Sequence, residues 1–195
     1  MQKLAPADLL SLEQYARDRA AIRARMIAHR GMRRLAIGAH STWSFEDRET
    51  VRYQVQEMLR AERVFEAEGI ADELAAYNSL IPDGSNLKAT LLIEYDDPVE
   101  RGLRLRELRG LERSCWMQVS GCPRVYAVAD EDLERENDDK TSAVHFLRFE
   151  FTPPMLAALR SGAMLAAGTD HPQYGCSVEP LPAALHAALL ADLSW

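Results

Sequence analysis

Two segments of alternating character, each turned back through a short glycine-containing stretch, constrain this 195-residue chain more than any other feature. Leu35-Ala36-Ile37 and Trp43-Ser44-Phe45 repeat with a period of two and flank Gly38-Ala39-His40-Ser41. Cys115 to Val119 and Arg124 to Ala129 do the same around Ser120-Gly121-Cys122-Pro123. Period-two runs separated by so few residues read as antiparallel hairpins, because parallel neighbours need a crossover of a dozen residues or more. Lys88 to Tyr95 and Ala143 to Phe151 add two longer strands, and Tyr174 to Val178 a short one.

Helices fill the intervals irregularly. Ser11 with Gln14 three residues on makes a capping box, and Gly31 supplies a left-handed stop. Leu12, Tyr15, Ile22 and Met26 share one side of the helix between them. A second helix is expected from about Glu49 to Glu68, stopping at Gly69. Asp97-Pro98-Val99-Glu100 opens a third that ends near Gly110, with Asp as cap and Pro at the first position. Thr152-Pro153 opens another, running to about Ala167, and Pro182 to Leu193 forms the last. Asp170-His171-Pro172 is expected as a loop between a helix end and a short strand. The expected fold is α+β, with helices packed on a mostly antiparallel mixed sheet of about five to seven strands. No repeat or linker divides the chain, so residues 1–195 are expected to form a single domain.

Charge narrows the function classes. There are 23 basic and 30 acidic side chains, a net charge of −7, which disfavours nucleic acid as a partner. The balance hides two opposed patches. Arg17, Arg19, Arg23, Arg25, Arg30, Arg33 and Arg34 face a single acid, Asp18, between residues 17 and 34. Seven acids face Arg135 alone between Asp130 and Asp139. Such patches suit pairing within a chain, pairing between copies in a homo-oligomer, or docking on a partner protein. No run approaches the ~18 apolar residues of a membrane span, and no secretory leader is visible. Three cysteines without a CxxC pair fit a reducing, cytoplasmic setting.

Candidate chemistry centres on a few polar residues in apolar company. Stepping about 100° per residue from Val51 places Val55, Met58 and Phe65 within about 40° of it, with Glu62 among them at about 20°. A carboxylate there is a buried ion pair, an interface group, or a site residue facing a pocket. His145 shares a strand face with Leu147, Phe149 and Phe151, while Arg148 lies on the other face. A polar pocket around Glu62, Lys88 and His145, with Arg148, is therefore one candidate site. Asp170 beside His171 is another, as an oriented imidazole or as turn chemistry. A metal or haem site would use His145, His171 or Cys176, although Cys122, His171 and Cys176 match no zinc-ligand spacing. Cys122 would be a more accessible thiol than Cys115. GxSxG, Walker A, GxGxxG and HExxH are all absent, and no cofactor or reaction is identified.

The wording of several segments points to a family. Phe45-Glu46-Asp47-Arg48, Tyr53-Gln54-Val55-Gln56-Glu57-Met58-Leu59-Arg60, and Leu80-Ile81-Pro82-Asp83-Gly84 with Lys88-Ala89-Thr90 occur in order. Val144-His145-Phe146-Leu147-Arg148-Phe149-Glu150 and Asp170-His171-Pro172 follow. In these the chain resembles the bacterial domain of unknown function 3501 family, over nearly its whole length. The resemblance implies no activity and no site residues. It implies gene neighbours that include rubrerythrin and an iron–sulfur oxidoreductase. The function expected from this is an accessory or binding role, without catalysis, beside a redox partner protein in an oxidative-stress context. An enzyme or small-ligand-binding protein is one alternative, and a metal- or haem-binding protein is another.

Overall fold

The computed structural model describes residues 2–131 and 139–194. Strands β1 (Arg34–Ile37) and β2 (Ser41–Phe45) form the first hairpin, and Gly38 turns it at φ 67°. They continue through β3 (Asn86–Ile93) and β7 (Val144–Glu150) to the two-residue β6 (Val128–Ala129), giving a five-stranded antiparallel sheet. A second antiparallel sheet has the order β5-β4-β8-β9, from β4 (Cys115–Val119), β5 (Arg124–Tyr126), β8 (Leu165–His171) and β9 (Tyr174–Val178). The fold is α+β with antiparallel pairing, as expected, but its strands are divided between two sheets.

The sheets share one interior. Inward positions of both contribute Trp43, Phe45, Leu91, Met117, Leu147, Phe149 and Leu165 to a continuous apolar cluster. Trp43 stacks on Phe149 at 5.4 Å between ring centroids. Helices α6 (Pro153–Arg160) and α7 (Ala183–Leu190) add Met155, Leu159, Leu185 and Leu189 to it. The chain expected as one strand over residues 124–129 instead passes from the small sheet to the large one at Ala127, whose N–H donates to Cys115 O. At the opposite flank Tyr174 ties β9 to the first hairpin, donating to Ile37 O at 2.8 Å and accepting from His40 N at 2.7 Å.

A layer of helices has its own core. Val51, Val55 and Leu59 of α2 (Arg48–Glu62) meet Leu4, Ile81 and Leu74 of α3 (Ala67–Asn78). Helix α1 (Leu12–Gly31) lies along α2. Ser11 caps α1 by accepting from Gln14 N, whereas Gln14 turns its own side chain to Asp18 and Arg17. Helix α4 (Pro98–Glu107), capped by Asp97 as expected, and the short α5 (Leu111–Ser114) close a third cluster around Tyr95 and Leu105. Among the described residues no helix is long and apolar enough to cross a membrane.

Three local expectations are corrected. Gly31 is not a left-handed stop, since α1 runs through it and ends at Met32 in right-handed geometry. The second helix stops at Glu62, where Arg63 adopts φ 56° and its N–H returns to Leu59 O. Gly69, read as the stop, lies inside α3, where a Cβ would meet Val64 Cγ1 at 2.7 Å. The helix expected to reach Ala167 ends at Arg160, because Gly162 (φ 95°) turns the chain and Leu165 and Ala167 pair with β4.

Candidate functional site

Of the residues expected to converge, Lys88 and Arg148 come together, while Glu62 and His145 lie elsewhere. Glu62 sits exposed in the last turn of α2, because the helix ends before Phe65 can extend the apolar stripe, and Phe65 is itself exposed. The buried carboxylate read from the helical wheel is therefore not there. Lys88 and His145 lie on opposite faces of the large sheet. Leu87, Ala89 and Leu91 of β3 point into the core with His145, whereas Lys88 stands opposite Arg148 on the outer face.

His145 is fully buried and both ring nitrogens are engaged. Nδ1 faces the Asp130 carboxylate at 2.5 Å, and Nε2 faces Thr141 Oγ1 at 2.8 Å and Ser142 O at 3.0 Å. Asp170 and His171 end strand β8 and so diverge rather than forming a dyad or a loop. Asp170 faces outward and accepts from Tyr126 Oη, Trp116 Nε1 and Arg124, whose guanidinium lies over the Trp116 ring. The Tyr126 hydroxyl and Arg124 hold its carboxyl below the usual range. His171 is buried, with Nε2 on Arg109 O and Nδ1 accepting from Gln173 N. Cys176 is half-buried on β9 and Cys122 half-buried in its turn. Among the described residues no group of three His, Cys, Asp or Glu side chains is placed to hold a metal ion.

The arginine run of α1 divides into separate tasks. Arg19 clasps Glu57 at 2.6 and 2.8 Å while Tyr15 donates to the same carboxylate at 2.5 Å. Arg19 holds the Glu57 carboxyl low, and burial with Glu57 beside it pushes the Tyr15 phenol up. Arg30 covers the Tyr53 ring, and Arg33 is buried. Arg23, Arg25 and Arg34 remain exposed. Of the opposing acidic run, residues 132–138 lie outside the described residues.

A cavity of about 520 Å³ opens between α1 and α2. Its wall includes Tyr15, Ile22 and Met26 of α1 and Tyr53 and Gln56 of α2. Gln56 is 3% exposed and is the informative residue. Its Oε1 accepts from Leu10 N at 2.6 Å. Only an oxygen can accept there, so the amide orientation is settled and Nε2 is the free end. That Nε2 is buried with no acceptor. Arg25, also in the wall, is exposed and has neither ion pair nor hydrogen bond among the described residues, whereas Arg52 pairs with Glu49 and His29 with Asp47. The cleft thus combines apolar Leu10, Ile22 and Met26 with the charged Asp8, Glu49 and Arg52 and the exposed Arg25, and Gln56, with its buried orphan donor, is part of its wall. Neither Gln56 nor Arg25 stood out individually in the sequence, because the burial of one and the freedom of the other follow from how α1 lies on α2.

Comparison with known proteins gives relatives without giving a role. The chain is similar to a novel protein of unknown function from Burkholderia pseudomallei, whose crystal structure superimposes with a TM-score of 0.94. The two are 47% identical, and the match covers 99% of this chain and 100% of the other. No curated protein matches. The family model described as a protein of unknown function, DUF3501, matches residues 3–193. The resemblance read in the separate segments is thus one relationship running through both sheets and all the helices, and the chain belongs to the DUF3501 family.

Proposed function

We propose that this protein is a non-catalytic binding protein whose α1–α2 cleft holds a small organic acid with an apolar body and a neutral oxygen acceptor. The observation that carries this reading is the orphan Gln56 Nε2 in the cleft wall. A buried donor left without an acceptor costs about 1–3 kcal/mol, so an occupant that supplies the acceptor recovers that cost. The volume falls within the ~300–1,000 Å³ usual for ligand pockets. Leu10, Ile22 and Met26 favour an apolar body, and the unpaired Arg25 favours an anionic group at the surface end. Docking on a redox partner through α1 draws less support. Arg19, Arg30 and Arg33 are spent inside the molecule, so only part of the basic patch remains outward.

The test uses an isosteric pair, 4-methoxybenzoate and 4-ethylbenzoate, with uncharged 4-methoxybenzamide as a third probe. Calorimetric titration of the full chain should show the ether binding about fivefold more tightly than the ethyl compound, the value of a neutral hydrogen bond near 1 kcal/mol. Gln56→Leu should abolish that preference, and Arg25→Gln should abolish the preference for the acid over the amide. Equal affinity of the ether and ethyl compounds in the native protein would remove Gln56 as the recognition group. If none of the three binds, the reading itself fails.

A further inference from the structure

A second cavity, of about 130 Å³, lies on the outer face of the large sheet and shares no lining residue with the α1–α2 cleft. Lys88 is one of its walls, with Leu80, Phe146, Arg148, Glu46 and Glu131 among the others. The Lys88 ammonium donates to Ser79 O, and among the described residues no carboxylate ion-pairs with it. The nearby acids are already committed. Glu46 accepts from Thr50 and Thr90, and Glu131 clasps Arg148 at 2.8 Å through both oxygens. Lys88 is thus a half-buried amine directly opposite Arg148, and its hydrogen bond goes to a backbone carbonyl rather than to a carboxylate.

We infer that Lys88 is a carbonyl-reactive amine that condenses reversibly with small uncharged aldehydes or ketones. Desolvation and a neighbouring cation are the two devices that make a lysine nucleophilic near neutral pH, and both are present. Burial pushes the Lys88 ammonium down from its ordinary value, and Lys3 and Arg148 add to this against Asp83 and Glu131. In the condensation the neutral amine nitrogen attacks the carbonyl carbon, and the carbonyl π pair moves to oxygen. That oxygen, twice protonated, leaves as water. The net step is R–NH3+ plus O=CHR′ giving R–NH+=CHR′ plus H2O, with no redox change. The cavity has room for roughly four groups of ~30 Å³, which suits a compound of three or four carbons. Charge selects against oxo acids. Arg148 is held by Glu131 and Glu150, and the two carboxylates in the wall repel a third.

The chain has three lysines, Lys3, Lys88 and Lys140, so the site can be mapped without ambiguity. The full-length protein is treated with butyraldehyde and sodium cyanoborohydride at neutral pH, and the alkylated lysines are located by peptide mass spectrometry. Lys88 should label several-fold faster than Lys3 and Lys140, and pyruvate should label it more slowly than butyraldehyde does. Lys88→Arg should lose that label while Lys3 and Lys140 keep theirs. Arg148→Gln removes the opposing cation and frees Glu131 and Glu150, so labelling at Lys88 should slow and its pH profile should move to higher pH. Lys88 labelling no faster than the other two lysines would overturn the inference. So would an Arg148→Gln rate and pH profile equal to those of the native protein, since mere accessibility would then explain the label.

Discussion

Replacing Asp192 by Asn should make the protein more stable at neutral pH, although it deletes a charge from a buried ion pair. Arg33 is 3% and Asp192 5% exposed, and the two side chains are in direct contact. The guanidinium is shared, however. It donates to Phe45 O at 3.1 Å, to Ala188 O and Glu46 O at 3.3 Å, and lies 3.3 Å from Asp47. Burial pushes the Asp192 carboxyl up to about 6, outweighing the attraction of Arg33, and the like charge of Asp47 adds to the rise.

A carboxyl raised on folding stabilises the native state fully below its unfolded value, 3.8, and that contribution is lost as pH climbs to about 6. At about 1.36 kcal/mol per pH unit, the loss comes to about 3 kcal/mol. Asn keeps an oxygen for Arg33 but has no charge to desolvate. Its stability relative to the native protein should therefore rise by about 3 kcal/mol between about pH 4 and pH 7. Urea unfolding of both proteins at several pH values across that interval measures the difference directly. A variant that instead loses ground as pH rises would show that the Arg33 attraction exceeds the desolvation cost, and the reasoning would be refuted.

Two other consequences are open to equally direct measurement. A Cβ at Gly168 would meet Trp116 Cζ2 at 2.5 Å and the Cys176 carbonyl at 2.6 Å, so Gly168→Ala should cost about 1–3 kcal/mol by overpacking, read as a lower urea midpoint. Cys115 is buried and burial pushes its thiol well up. Iodoacetamide should therefore modify Cys122 and Cys176 in the native protein and reach Cys115 only after denaturant is added.

Local chemistry was legible, and long-range pairing was not. The turns at Gly38 and Gly121 read correctly because their positive φ is a demand that glycine meets within a few residues. Asp97 read correctly as a cap because its partner, Glu100 N, is three residues away. Strand β8 was missed because Leu165-Ala166-Ala167 suits a helix, and only hydrogen bonding to β4 makes it a strand. The Glu62 reading failed for a related reason. Its angle on the wheel was sound, but it presumed a helix continuing past Arg63, where no glycine or proline marks the stop. Lys88 and Arg148, expected in one pocket from residue type alone, are cross-strand partners, a relation that exists only once the β3–β7 register is known. Gln56 carries no signal of its own in the sequence, because its environment depends on Leu10 reaching it from 46 positions away.

That dependence bears on how a binding cleft sits in this fold. The large core is built by the two sheets with α6 and α7, and the helical core by α2, α3 and the chain around Leu4. Helix α1 enters neither deeply. Its buried residues are Tyr15 and Met26 alone, and both line the cleft. What holds it is a set of polar clasps along α2, with Arg19 and Tyr15 on Glu57 and His29 on Asp47. Partly exposed clasps of this kind are individually weak, whereas the sheets behind them are held by packed apolar surface. The apolar surface of a ligand in the cleft would add to a contact that the protein leaves thin. The arginines of α1 then read less as a docking face than as the means by which a sparsely apolar helix is kept over a cavity.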